Sequence, residues 1–523
     1  MSGWRDIRSG VAGQREALID SLGKPQQQQG QLLQRILEHN AETEFGRRCN
    51  FREISSLVDY QRLVPLQHYQ DVRPYIERMM AGESNVLCRD EVLLFEQTGG
   101  STGGSKFLPF TESGIAAMRK ALLPWLDDLL AERPGILQGS AYWSVSPAVR
   151  KQTHTLAGIP IGIDNDALYF GEHLAQAIGA TLAVPASVAA EETVDGWRFQ
   201  TLCYLLASKD LSLVSVWSPT FFLQLLDAIA EHIEQVAACI ESGGTGTAVR
   251  LDANATRANE LRNIFAGGTP RWDAIWPHLD TISCWSSASS RRYADELKRR
   301  FPAVHLADKG LLATEGVVTV PLRGASSPVL AVDSGVYEFI SEDGEALAPW
   351  SLETGKTYSV VLTTAAGLYR YRLGDRVTVT GWFKATPCLE YVGREGGGSD
   401  LCGEKLTQEF VEKALNDIPG FSMLVPVSDP RPSYLLLLDA ASVAADTERQ
   451  MAELADCELM ANPQYRYARE IGQLPPLVPC RVADALGAYM RVSLDSGQRL
   501  GDIKVRALAS VAWGAQFVEL SKN

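Results

Sequence analysis

The feature that most constrains the fold of this chain is a glycine-rich segment that runs from Gln97 to Lys106. It holds four glycines and four hydroxyl side chains and ends in a single lysine. Glycine lets a backbone approach a ligand closely and adopt positive φ, so several N–H groups can converge on one anion. Residues 92–95 and 107–110 are strand-like. The pattern predicts a loop clasped by two strands that covers a triphosphate, with an ordinary glycine-rich hairpin turn as the alternative.

The glycine spacing excludes two familiar phosphate loops. In a Walker loop a lysine follows the second glycine directly, but here Ser105 stands at that position after Gly99 and Gly104. The downstream Pro109 also disfavours an immediate helix, because the residue before a proline is pushed to extended geometry. No two of the glycines have the first spacing of the dinucleotide pattern G-x-G-x-x-G.

Composition limits the class of protein and its partners. The net charge of −14 argues against a nucleic-acid or anionic-membrane partner. The nine cysteines are scattered without a C-x-x-C pair and the seven histidines are dispersed, so no zinc signature exists. We expect free thiols in a reducing cytosol. With no signal peptide and no apolar run of membrane-spanning length, the prediction is a soluble, cytoplasmic protein, with a monomer favoured.

The 523 residues predict two or three domains. Residues 1–90 have a helical pattern, and Thr111 is a candidate cap for a helix over 111–134. From 140 to 340, apolar runs alternate with helices, which predicts a layered α/β domain. Residues 329–392 have strands separated by turn signals, which predicts an antiparallel or barrel-like subdomain.

A second glycine-rich segment, 393–400, predicts a hinge. Taken together, the helical N-terminal region, the layered region and the antiparallel region predict an α/β fold class. A large N-terminal domain over 1–395 would be followed by a small mobile α+β domain over 396–523.

Three further segments contain candidate ligand residues. Glu315 lies in an apolar setting, where a Mg²⁺ ion bridging phosphates would compensate its charge; an exposed turn glutamate is the alternative. Asp375 is placed just past a strand, where its carboxylate can accept two hydrogen bonds from a ribose diol; a Gly-Asp turn is the alternative. Lys405 follows the hinge and could reach the phosphates when domains close, unless the segment simply starts a helix.

The strand before Asp375 alternates in character. Tyr369 and Tyr371 share one face, whereas Arg370 and Arg372 lie on the other. A turn alone would not explain that arginine pair.

With these segments in this order, the chain resembles the auxin-responsive Gretchen-Hagen family of acyl acid amido synthetases, within the adenylate-forming superfamily. The family's Ser/Thr/Gly-rich loop followed by Lys-x-x-Pro is matched by residues 98–109, and its Tyr-Arg-Tyr-Arg-x-Gly-Asp motif is matched in full by 369–375. Its hydroxyl-Glu pair is matched by Thr314 and Glu315, and Asp-Lys-Thr-x-Glu is approximated by 404–409. The sequence departs from the family where Leu311 and Leu312 replace a tyrosine that packs on adenine, and where a C-terminal Lys-x-x-Arg pattern is one residue short.

The resemblance implies the roles of individual residues. Lys106, Glu315, Lys405 and Lys504 would be catalytic, with Glu315 also on the metal. The remaining residues implied to bind ATP are Thr98, Gly99, Gly100, Ser101, Thr102, Gly103, Ser105, Ala313, Thr314, Arg372 and Asp375.

The implied activity is an ATP- and Mg²⁺-dependent ligase that adenylates a small carboxylic acid and transfers the acyl group to an amino acid. The alternatives are an acyl-CoA ligase with the same first step and a non-catalytic nucleotide-binding protein. Trp143 and Trp285 could line the acid pocket and Arg119 could pair with a substrate carboxylate, although core packing and an exposed helix position explain them equally well.

Overall fold

A computed structural model of the chain describes residues 2–98, 106–143, 153–162, 169–191, 193–267, 270–395, 398–402, 404–428, 431–470, 472–495, 498 and 500–510. Within these ranges helices and sheets are mixed, as the α/β prediction requires. No helix among them is both long and apolar enough to span a membrane.

Helices precede the first strand, which confirms the helical prediction for the N-terminal region. They are α1 (Ser2–Val11), α2 (Gln14–Leu22), α3 (Pro25–Asn40), α4 (Glu44–Arg48), α5 (Leu57–Leu63) and α6 (Tyr69–Met80). Helix α3 begins at Pro25, where a missing N–H costs nothing. Its buried stripe is Leu33, Ile36 and Leu37, so the glutamine tract belongs to the first turns of a packed helix.

The strands predicted on either side of the glycine loop are confirmed as an antiparallel hairpin. They are β1 (Val92–Thr98) and β2 (Lys106–Thr111), and helix α7 (Glu112–Glu132) follows directly. Thr98 pairs with Lys106, so the two ends of the loop are held opposite each other. The Thr111 hydroxyl accepts a hydrogen bond from the Gly114 N–H at 3.1 Å, which caps α7 as predicted.

The layered α/β prediction is confirmed by a parallel sheet in the order β3-β6-β7-β8. The strands of this part of the chain are β3 (Ser140–Trp143), β4 (Thr153–His154), β5 (Pro160–Ile161), β6 (Leu211–Ser215), β7 (Thr281–Ser283) and β8 (His305–Ala307). The helices are α8 (Glu172–Gly179), α9 (Val194–Ala207), α10 (Pro219–Ser242), α11 (Ala255–Phe265), α12 (Trp272–Ile275) and α13 (Arg291–Arg300). Because all four strands are parallel, their carboxyl ends meet at one edge. Strands β4 and β5 instead extend the β1–β2 hairpin.

The antiparallel sheet predicted around 329–392 is present in the order β11-β12-β17-β16-β15-β13-β14. The strands are β9 (Leu312–Ala313), β10 (Gly316–Val317), β11 (Thr319–Val320), β12 (Val329–Leu330), β13 (Val336–Ile340), β14 (Ala346–Leu347), β15 (Thr357–Thr363), β16 (Tyr371–Phe383) and β17 (Thr386–Arg394). Strands β9 and β10 form a separate small hairpin.

One placement from the sequence is wrong. Asp375 does not lie past the end of a strand, because β16 continues to Phe383 and Asp375 pairs with Arg394 of β17. Gly374 has φ +80, and the register against β15 shifts across this point. The glycine thus lets the strand bulge and continue instead of turning.

The C-terminal part is a small α+β unit, as predicted. Its elements are β18 (Gly398–Ser399), β19 (Leu406–Thr407), α14 (Gln408–Ala414), β20 (Ser422–Val427), β21 (Ser433–Asp439), α15 (Glu448–Leu459), α16 (Pro463–Glu470), β22 (Val478–Val482) and α17 (Ala485–Asp495). Phe421, Met423 and Tyr489 join the apolar core that α9 and α10 form beside the parallel sheet. The domain boundary at 395/396 and the mobility of this unit stay predictions.

Candidate active site

Lys106 lies at the start of β2, where the hairpin holds it beside Tyr69. The Phe107 N–H donates to the Tyr69 hydroxyl at 2.8 Å, and the Lys106 Nζ lies 5.5 Å from the centre of the Tyr69 ring. Burial lowers the pKa of Lys106, and Arg394 lowers it further, while the carboxylates of Glu315 and Asp375 act in the opposite direction. These electrostatic neighbours show that three predicted site residues lie close together.

Glu315 lies in the turn between β9 and β10, next to Thr314. The Tyr371 hydroxyl donates to its Oε1 at a long 3.4 Å, and the carboxylate raises the pKa of that hydroxyl beyond the effect of burial. The turn is half-buried, so the carboxylate is held at the edge of the protein interior. Carboxylates combined with phosphate oxygens are ligands that Mg²⁺ prefers, so the donor type fits the expected metal.

Asp375 is buried, with 4% of its surface exposed, and it faces Arg394 on the neighbouring strand. The Arg394 Nε lies 3.2 Å from Asp375 Oδ1, yet Oδ1 makes no hydrogen bond with the described residues. Arg394 is fixed from its other end, where Nη2 donates to the Leu373 carbonyl at 2.8 Å. A buried acceptor oxygen without a donor suits a ligand hydroxyl, which is the role that the sequence predicts towards ribose.

Arg394 is a residue that sequence reasoning missed. Although burial lowers its pKa, Asp375 and Glu315 outweigh that effect and raise it above the ordinary value. The guanidinium therefore stays charged between two carboxylates and next to Lys106. In the sequence it is the second residue of the segment 393–400 that was predicted to be a hinge, and only the strand pairing shows that it faces Asp375.

The two arginines of the predicted cationic face have separate structural partners. Arg370 has φ +45 and is buried, and its guanidinium donates to both Glu338 oxygens at 2.9 Å. Arg372 donates through Nη2 to both Glu395 oxygens, at 3.1 and 3.2 Å. Arg370 therefore has a structural role in the antiparallel sheet. The role of Arg372 in ATP binding stays a prediction, and ATP would have to compete with Glu395 for its guanidinium.

Lys405 lines the same cavity as Arg394. It is exposed, has φ +47, and lines a cavity of about 360 Å³ together with Arg376, Arg394 and Glu395. The preceding Glu404 is fully buried and accepts hydrogen bonds from the Leu401 and Cys402 N–H groups at 2.7 Å. The buried carboxylate fixes the loop from which Lys405 extends. The helix start considered as an alternative is also present, because Thr407 caps α14.

Lys504 reaches the site from the C-terminal unit. Its Nζ lies 4.8 Å from the Trp285 ring centre and 5.5 Å from that of Tyr391. Burial raises the pKa of the Tyr391 hydroxyl, Asp375 raises it further, and Arg394 lowers it, so Tyr391 lies close to both charged residues. Lys504 is therefore next to Lys106, Glu315, Asp375 and Arg394, which we call the charged cluster. The catalytic role of Lys504 stays a prediction.

The remaining predicted residues divide into two sets. Ala313 and Thr314 lie beside Glu315 in the small hairpin. The loop positions Gly99, Gly100, Ser101, Thr102, Gly103 and Ser105 lie outside the described residues, and Thr98 is described only as the last residue of β1.

Two candidate acid-binding residues, Trp143 and Trp285, lie at the parallel sheet, and the third, Arg119, lies on α7. Trp143 ends β3 and packs against Phe170 with ring centres 5.7 Å apart. Trp285 follows β7 and packs against Trp217, which sequence reasoning missed, at 6.0 Å. Arg119 donates through Nε to the Tyr169 carbonyl at 3.0 Å.

Comparison with known proteins places this architecture in a family. A sequence profile of the GH3 family N-terminal domain matches residues 14–306, and a profile of the GH3 family central domain matches residues 328–394. The chain belongs to the GH3 family. The central-domain match ends at Arg394, the last residue of the long antiparallel strand β17.

Curated GH3 relatives have low identity over most of the chain. Indole-3-acetic acid-amido synthetase GH3.10 of Arabidopsis thaliana is 26% identical over 455 residues, which span 74% of each chain. Indole-3-acetic acid-amido synthetase GH3.2 of the same plant is 21% identical over 434 residues, which span 75% of this chain and 78% of the relative.

The fold of this GH3 protein matches solved structures over nearly its whole length. GH3.15 acyl acid amido synthetase has a TM-score of 0.83 at 18% identity, covering 96% of this chain and 95% of that one. 2-Hydroxyisobutyryl-CoA ligase with 2-HIB-AMP has a TM-score of 0.54 at 13% identity, covering 94% and 91%. The mixed α/β fold expected from the resemblance is therefore confirmed.

Proposed function

We propose that this GH3 protein is an acyl acid amido synthetase. It uses ATP to adenylate a small carboxylic acid, transfers the acyl group to the amine of an amino acid, and releases AMP and pyrophosphate. Family membership and the names of the relatives support the reaction class, and the charged cluster supports the use of ATP. The observation that carries most weight is the buried Asp375 Oδ1, which accepts no hydrogen bond from the described residues and lies beside Lys106, Glu315 and Arg394.

The first half-reaction needs positioning and charge neutralisation. The acid carboxylate attacks the α-phosphorus of ATP, the bond to pyrophosphate breaks, and an acyl-AMP forms. Lys106 and Arg394 place two positive charges where phosphate charge accumulates, which is the form of stabilisation that usually contributes most to such reactions. Asp375 accepts hydrogen bonds from the ribose hydroxyls and thereby fixes the position of the α-phosphate. Glu315 would hold Mg²⁺, which when bound neutralises part of the phosphate charge.

The second half-reaction needs an uncharged amine and no covalent enzyme intermediate. The amine nitrogen attacks the acyl carbon, the bond from that carbon to the AMP phosphate oxygen breaks, and the amine proton passes to solvent. Lys504 would neutralise the departing AMP from its position on Tyr391. Between the two half-reactions, rotation about 393–400 would change whether Lys504 or Lys405 approaches the phosphates; Lys405 and Arg394 line the same cavity.

The test is acid-dependent pyrophosphate release, followed by the acceptor requirement for AMP formation. A panel of carboxylic acids is tested with ATP and Mg²⁺, first alone, then with a mixture of amino acids, and separately with coenzyme A. We expect pyrophosphate release with at least one acid and AMP turnover that requires an amino acid. Turnover that requires coenzyme A would identify the CoA-ligase alternative, and ATP binding without pyrophosphate release would identify a non-catalytic nucleotide-binding protein. A cytoplasmic location and a monomeric state stay predictions.

A further inference from the structure

The residues that lead into helix α6 are attached to the start of strand β16. The Gln67 N–H donates to the Arg370 carbonyl at 3.0 Å, and the Gln67 carbonyl accepts from the Arg372 N–H at 2.8 Å. Helix α6 begins two residues later, at Tyr69. We call residues 67–69 the connecting segment. Its backbone is fixed to the antiparallel sheet by both hydrogen bonds.

Tyr69, at the other end of the connecting segment, contacts the glycine hairpin through its hydroxyl and its ring. The hydroxyl accepts the hydrogen bond from the Phe107 N–H at 2.8 Å, although the two residues are 38 positions apart in the chain. The ring centre lies 5.5 Å from the Lys106 Nζ, and aromatic ring faces attract ammonium groups. Tyr69 is 8% exposed, so both contacts are made inside the protein. One side chain therefore holds the backbone next to Lys106 and also its charged end.

These contacts set the position of Lys106 relative to the rest of the charged cluster. Strand β2, which begins at Lys106, and strand β16, which carries Asp375, belong to different sheets, so strand pairing does not fix their separation. The connecting segment supplies a link, because it contacts both strands. The Tyr371 hydroxyl, which donates to Glu315, also has its pKa raised by Tyr69, so the two phenols lie close together.

We infer that Tyr69 is a positioning residue that holds the Lys106 ammonium at the nucleotide site during adenylation. This inference rests on the proposed function, because it assigns how the hairpin lysine of that reaction is placed. The ammonium stabilises the transition state only where phosphate charge accumulates, and a displacement of about 1 Å can cost on the order of a hundredfold in rate. The competing explanation is that Tyr69 only packs α6 against the hairpin.

The test is a double-mutant cycle between Tyr69 and Lys106, with acid-dependent pyrophosphate exchange as the measurement. Tyr69→Leu removes the ring and the hydroxyl, and it should reduce kcat by about tenfold or more without a change in the KM of the acid. In the Lys106→Ala background the same substitution should have almost no effect, because no ammonium remains to be positioned. Tyr69→Phe keeps the ring contact and should lose less activity than Tyr69→Leu.

Tyr75 provides the matched control. It lies on the same helix as Tyr69, and its hydroxyl accepts a hydrogen bond from Arg48, away from the hairpin. Tyr75→Leu and Tyr75→Phe should each leave exchange at the rate of the background in which they are made.

The outcomes distinguish positioning from packing. Equal fold losses from Tyr69→Leu in the two backgrounds, or a wild-type rate in Tyr69→Leu, would overturn the positioning role and leave the amido synthetase intact. If Tyr69→Leu does not fold, Tyr69→Phe decides by the same comparison, because phenylalanine keeps the packing. Absence of exchange by the wild-type protein with every acid would overturn the proposed function itself.

Discussion

The two sheets that meet at the site contribute different chemistry. The antiparallel sheet, with its neighbouring turns, supplies mutually interacting charges, since Asp375 and Arg394 pair across strands and both act on Lys106. The parallel sheet supplies the ends of its strands, where tryptophans extend from loops. Cross-strand register fixes the first set, whereas loop conformation fixes the second. The proposed adenylation chemistry therefore depends on strand register, whereas the residues expected to line the acid pocket depend on loops at the strand ends.

The largest expected effect is on the free energy of unfolding, and it tests whether every charge of the antiparallel sheet takes part in ATP binding. Arg370→Met should reduce the free energy of unfolding by about 3–5 kcal/mol, because it leaves Glu338 buried without its partner. Arg372→Met removes a half-exposed pair with Glu395 and should cost less than about 1 kcal/mol. Denaturant unfolding measures both changes. In Arg370→Met/Glu338→Met most of the lost stability should return, and a double variant as unstable as the single one would contradict a paired structural role.

The next effect tests a charge that is proposed to bind ATP. Lys106→Ala should reduce acid-dependent pyrophosphate exchange by about 30- to 1,000-fold, on the order of 2–4 kcal/mol in the barrier, without loss of folding. Lys209→Ala is the matched surface control. Exchange at the wild-type rate in Lys106→Ala would show that the hairpin lysine does not contact phosphate.

The pH dependence tests the environment of the same lysine. The folded pKa of Lys106 is lowered by burial, so its charge is lost at a lower pH than that of an exposed lysine as the solution becomes alkaline. We expect kcat/KM to decline on the alkaline side as that pKa is passed, because only the protonated form neutralises phosphate. Lys106→Arg should move the decline to higher pH, since a guanidinium keeps its proton. Identical alkaline profiles for the two proteins would exclude Lys106 as the titrating group.

The smallest effect tests the parallel sheet. Trp217→Leu should raise KM for an aromatic acid several-fold, about 1 kcal/mol, because one ring–ring contact is lost. The KM for ATP should not change, since no member of the charged cluster lies on the parallel sheet. Trp382→Leu replaces a tryptophan that is 40% exposed and serves as the control. Equal changes in both KM values would show that the two sheets do not act separately.

Sequence reasoning succeeded where chemistry is local in the chain. The β1–β2 hairpin, the Thr111 cap and the proximity of Lys106, Glu315 and Asp375 followed from spacing and from the family motifs. It failed at Asp375, placed beyond a strand that in fact continues, because a bulge at Gly374 and a turn have the same glycine signal. It also missed Arg394 and Trp217, because neither residue belongs to one of the family motifs.

The sequence by itself determined the family and the mixed α/β fold, because both depend on residue types at short, fixed spacings. Only the tertiary structure decided which partner each charged side chain has. Arg370 and Arg372 are equivalent in the sequence pattern, yet one is buried against Glu338 and the other is half-exposed against Glu395. The physical reason is that the partner of a charge is chosen by strand register and burial, which join residues far apart in the chain.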